Sequence, residues 1–169
     1  QKALQGAEEK IAVIDKEARG KVLEARKSAP AAAQLQIPKP YAQWQFEGDL
    51  RDSVGKLHGE AVGGARVENG ALLLNGGDGF VRTVAIDRDI TEKTLEAWVH
   101  LDNLDQRGGA LISLQTSNGT NFDGIVYGER TPRAWMSGSE TFKRSAVPGG
   151  PAEGEADKKP VHIAIVYHA

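Results

Sequence analysis

From residue 41 onward the apolar side chains recur at period two, and this alternation limits what the chain can fold into more than any other feature. In TLEAWVHL (Thr94 to Leu101), Leu95, Ala97, Val99 and Leu101 share one face while Glu96, Trp98 and His100 share the other. That is the spacing of a strand lying on a core. ALLLNG at 71–76, GALISLQ at 109–115 and VHIAIVYH at 161–168 are similar in length and bounded by Gly, Pro or Asp. They read as neighbours of TLEAWVHL, which takes the place of a central strand. Further strands are expected over Tyr41 to Glu47, near Leu57 to Val62, and at Phe80 to Thr83, Asp123 to Tyr127 and Arg133 to Ser137, with a hairpin turn at Asn69-Gly70. SAVPGGPAEGEADKKP reads as a surface loop. No helical stretch separates these runs, which favours an all-β antiparallel sandwich over a βαβ fold.

Residues 1–29 follow a different period. Leu4, Ala7, Ile11, Ile14, Ala18, Val22 and Ala25 form a stripe near heptad spacing, with Glu17 and Lys21 at the favourable i, i+4 spacing. An amphipathic helix follows, packing on its own domain or a neighbour, or else joining a coiled coil. The stripe is narrow and partly alanine, and Gly20 costs about 1 kcal/mol against Ala, so the helix needs a partner surface. Three prolines and three consecutive alanines follow within Ser28 to Pro40. They mark residues 30–40 as a semi-extended linker and residues 41–169 as the main domain.

The net charge of -2 and the scatter of the 21 basic residues argue against a nucleic-acid groove. The absence of cysteine removes disulfides, thiolate zinc sites, c-type haem attachment and cysteine nucleophiles. No apolar run is long enough to span a bilayer. Beginning at Gln1 rather than Met, the chain is expected to be a processed product or excised piece, with any export signal upstream.

Several pieces then occur in a telling order: Trp44-Gln45-Phe46-Glu47-Gly48, the Asp52-Ser53-Val54-Gly55 turn leading to His58-Gly59, ALLLNGGDGFV, TLEAWVHL, GALISL and HIAIVYH. Together, over Tyr41 to His168, they resemble the laminin G-like modules of the concanavalin A-like lectin/glucanase superfamily. With the helix and linker they also resemble the interior of planctomycete-type cytochrome c multidomain proteins. The resemblance implies a jelly-roll sandwich, an extracytoplasmic (periplasmic or secreted) parent protein, and Trp44 and Trp98 as buried framework residues. It further implies that C-terminal strands of the domain lie beyond Ala169, supplied by residues outside this chain or by another copy.

No group of residues forms a reaction centre. Glycosidases need paired carboxylates across a cleft, and the strand pattern Glu-x-Asp-x-x-Glu of laminarinase-like relatives is missing. Glu96 therefore reads as a polar strand residue. His162 and His168 stand about 20 Å apart along one strand, too far for one metal, and no Gly-x-Ser-x-Gly elbow precedes a helix. The glycine clusters suit tight turns better than a phosphate cradle. Calcium is the one candidate ion, with Asp49, Asp52 and Asp78 as turn carboxylates that a sandwich end could gather. Trp135, Tyr127 and Phe142 are the candidate ligand-binding aromatics. The chain is thus expected to be a non-catalytic module binding carbohydrate or a protein surface. The alternatives are a structural spacer beside neighbouring domains of a larger enzyme or electron-transfer protein and, last, a glycoside hydrolase.

Overall fold

The computed structural model describes residues 2–28, 38–139, 143–146 and 151–168. The chain divides into two compact units, residues 1–40 and 41–169. The first holds helix α1, Lys2–Ser28. Val13, Ile14, Val22 and Leu23 along it are each more than half exposed.

The second unit is built from antiparallel strands: β1 (Gly59–Val62), β2 (Arg66–Glu68), β3 (Ala71–Leu73), β4 (Phe80–Thr83), β5 (Lys93–Val99), β6 (Ala110–Gln115), β7 (Phe122–Tyr127), β8 (Trp135–Ser139), β9 (Lys143–Ala146) and β10 (Val161–Tyr167). β1 pairs with β4, β2 with β3 and β5 with β10, while β6, β7, β8 and β9 form a meander in that order. The β2–β3 hairpin turns at Asn69 and Gly70, both at positive φ (52° and 75°), as a two-residue hairpin turn of the primed kind demands. Gly63 is required twice over in the turn between β1 and β2. Its φ is +59°, and a Cβ there would stand 2.4 Å from the Asp78 carbonyl oxygen.

Two expected features differ. Tyr41 to Glu47 is not a strand: only Trp44 bridges Asp52, and Phe46 sits at φ 59°, a left-handed conformation that breaks an extended run. TLEAWVHL is strand β5 but not a central one among the described residues, since its single ladder partner is β10. That ladder is unbroken over seven positions, from Val161 opposite Val99 to Tyr167 opposite Lys93, and the side chains of both strands alternate between half-buried and exposed.

The core is centred on β7 and β8. Ile125, Val126 and Tyr127 of β7 and Met136 of β8 are essentially inaccessible. Leu101, Leu104, Tyr127 and Ala156 form one cluster, with Val99, Trp135 and Val161 packed against it. Within the expected surface loop 145–160, Ser145 and Ala146 belong to β9 and Ala156 is fully buried. The chain is drawn in there because the Ala156 carbonyl accepts from Leu101 N–H at 2.8 Å while the Glu153 carboxylate accepts from Ala156 N–H at 3.0 Å.

The β5–β10 ladder is keyed to the meander at one end. The Tyr167 hydroxyl accepts from Gly124 N–H at 3.0 Å and lies 2.8 and 3.1 Å from the carbonyl oxygens of Gly124 and Gly138. Beside it, Lys93 Nζ reaches Asp123 Oδ2 at 2.6 Å, and Ser139 Oγ donates to Asp123 Oδ1 at 2.6 Å. Burial alone would raise the Asp123 carboxyl, but the Lys93 and Ser139 hydrogen bonds outweigh it and hold the group below the usual carboxylate range.

Candidate functional site

Alternation along β5 and β10 sets three cross-strand pairs on the outer face: Thr94 opposite Val166, Glu96 opposite Ala164 and Trp98 opposite His162. All six are exposed. Trp98 is 71% exposed, the reverse of the buried framework position that the family resemblance implies. The physical reason lies in the strand itself. Leu95, Ala97 and Val99 occupy the inner face, so a residue one step out of phase must point to solvent. The indole is held from one side, its ring centroid 5.1 Å from that of His162 with the planes tilted by 36°. His162 Nε2 lies 3.5 Å from Glu96 Oε2, which orients the imidazole between the carboxylate and the indole.

This surface combines an exposed π-face, a carboxylate acceptor and an imidazole that can donate or accept. It rests on two strands in fixed register, so the three groups are presented without a loop having to order. It lacks a buried nucleophile or a pair of acids placed across a cleft, and what it can do is hold a flat, amphipathic ligand.

The aromatics singled out from the sequence are placed otherwise. Tyr127 and Trp135 do come together, with ring centroids 4.7 Å apart, but as part of the core. Tyr127 is 1% exposed, its hydroxyl donating to the Leu104 carbonyl at 2.9 Å, and burial pushes its phenol pKa up. Trp135 is half-buried and donates from Nε1 to Glu153 Oε2 at 2.8 Å. Phe142 lies outside the described residues. Trp44 is half-buried, its Nε1 donating to the Leu57 carbonyl at 2.7 Å.

The three candidate calcium ligands occupy turns. Asp49 is exposed and accepts from Arg51 N–H at 2.9 Å. Asp78 accepts from Asn75 Nδ2 at 2.9 Å, the contact chiefly responsible for lowering its pKa. Asp52 is the buried one, at 5% exposure. Its Oδ1 accepts from the N–H groups of Gln43 and Val54, each at 3.0 Å, and its Oδ2 from Leu57 N–H at 3.0 Å. Burial would raise its pKa, but these bonds and one from Gly55 N–H overcome that and bring it down to about 2. The carboxylate thus organises the turn 52–57, whose other contacts include the donation from Asp52 N–H to His58 Nδ1 at 3.1 Å. Among the described residues no three His, Asp or Glu side chains are gathered in a way that could hold a metal ion.

Sequence reasoning missed Trp98 as a surface group, although the signal was present: it shares its face with Glu96 and His100, both polar. Comparison of the chain with protein-family models, curated proteins and solved structures finds no match.

Proposed function

We propose that residues 41–169 are a non-catalytic, carbohydrate-binding module, and that the sugar stacks on Trp98 with Glu96 and His162 as its polar contacts. The observation that carries this is the exposed indole on the outer face of a rigid ladder, flanked on the same face by a carboxylate and an imidazole. A pyranose offers an apolar C–H face to such a ring and hydroxyls to such neighbours. The antiparallel sheets and the ordered sequence pieces support, as part of the same proposal, a jelly-roll module of the laminin G-like kind within a larger exported protein.

The test is an array of β-glucan, xylan and chitin oligosaccharides probed with the wild-type chain, Trp98→Ala and Trp135→Ala. Loss of Trp98 from an open stacking contact is expected to weaken binding by about tenfold or more, roughly 1.4 kcal/mol, with the melting temperature unchanged. Loss of binding in Trp135→Ala but not in Trp98→Ala would move the site to the meander. No binding by the wild type to any glycan would favour the spacer reading.

A further inference from the structure

Asn-Gly occurs three times in the chain, at 69–70, 75–76 and 118–119. An asparagine amide is open to attack by the backbone nitrogen of the next residue, most of all where that residue is glycine and puts no Cβ in the way. In an unfolded chain the three steps are chemically alike. The fold makes them different.

Asn75 is held at both ends of its amide. Its Oδ1 accepts from Gly77 N–H at 3.1 Å and from Gly79 N–H at 3.0 Å, and its Nδ2 donates to Asp78 Oδ1 at 2.9 Å. Asn118 is held through its oxygen, which accepts from the hydroxyls of Thr116 at 2.7 Å and Thr120 at 2.8 Å and from Thr120 N–H at 3.2 Å. Asn69 stands exposed at the tip of the β2–β3 hairpin, and its amide has no hydrogen-bond partner among the described residues. The attack requires its backbone to rotate away from the left-handed conformation at φ 52°. A hairpin tip opens at low cost and without the core. Among the described residues β2 and β3 pair only with each other, so no third strand has to open with them.

We infer that Asn69 is a site of spontaneous deamidation, selected from the three Asn-Gly steps by the freedom of its amide. The Gly70 nitrogen loses its proton and bonds to Asn69 Cγ, the Cγ–Nδ2 bond breaks, and ammonia leaves with a proton in place of the one lost. Water then opens the five-membered imide. Cleavage between the Gly70 nitrogen and Cγ leaves aspartate, and cleavage between that nitrogen and the main-chain carbonyl carbon leaves isoaspartate. One water is consumed and one ammonia released, with no change of oxidation state. Either product sets a new carboxylate next to Glu68 and near Glu47, whose Oε2 lies 3.8 Å from the place a Cβ on Gly70 would take. Isoaspartate also adds a methylene to the main chain of a two-residue turn that sets Glu68 opposite Ala71. Ageing at this position therefore loosens the hairpin and spares the meander.

The test incubates the full chain in mildly alkaline buffer, folded and in urea, with peptide mapping that separates asparagine, aspartate and isoaspartate at each position. In the folded chain Asn69 is expected to convert about tenfold or more faster than Asn75 and Asn118, whose hydrogen bonds must break first. In urea the three rates are expected to converge. Equal rates at the three positions of the folded chain would overturn the inference. So would Asn75 or Asn118 converting first, or Asn69 staying intact in the folded chain while the chain in urea is converted.

Discussion

Replacing Asp52 by Asn isolates the contribution of one carboxylate to the 41–57 region. The charged group accepts four backbone N–H groups, from Gln43, Val54, Gly55 and Leu57. Asn keeps the shape but loses the charge and turns one acceptor oxygen into an amide donor facing a donor. From the fall in pKa from 3.8 to about 2, the folded state favours the ionised carboxylate by about 2 kcal/mol. Leaving one N–H unsatisfied would add about 1–3 kcal/mol. Because the folded pKa lies below the unfolded one, this stabilisation is complete above about pH 5 and is lost as pH falls toward 2. Urea unfolding of both chains at a series of pH values is the assay. The expected gap is about 3–5 kcal/mol at pH 7, constant down to about pH 5 and narrowing below that toward pH 2. A gap below about 0.5 kcal/mol, the range of an ordinary surface change, would refute the reasoning, as would a larger gap that did not narrow in acid.

Two further outcomes follow from the same geometry. Tyr167→Phe removes the hydroxyl that Gly124 N–H donates to and should lower stability by about 1–3 kcal/mol in denaturant unfolding; an unchanged midpoint would show that this key between ladder and meander carries no energy. A calcium chelator should leave the melting temperature unchanged, because the oxygens of Asp52 already face backbone donors while Asp49 and Asp78 sit exposed in their own turns; a drop in the midpoint would restore a calcium site.

Period-two alternation made β5 and β10 legible, because a strand with one wet and one dry face has little freedom in how it lies. The same alternation already placed Trp98 outward. The family resemblance pointed the other way, and the structure sides with the periodicity. What could not be read was whatever depends on contacts between distant segments. Tyr41 to Glu47 alternates like a strand but spends its backbone groups on the Asp52 turn, as where Ser53 N–H donates to the Gln43 carbonyl at 2.8 Å. Ala156, in a stretch with loop composition, is buried because Leu101 bonds to its carbonyl, a pairing no local pattern encodes. Tyr127 and Trp135, expected with Phe142 to be ligand-binding aromatics, meet in the core instead, since nothing in one sequence says that Leu104 and Glu153 would take their polar atoms.

The phenol of Tyr167 seated between Gly124 and Gly138 has a bearing on how the molecule assembles. Its socket exists only once β7 and β8 lie side by side, and β5 must wait for β10 until the entire meander has been synthesised. Closing the ladder is therefore a long-range, late event, slowed by the loop it must close. Until then β5 stands with both flanks unoccupied, and this is the interval in which a nascent chain would most need a chaperone.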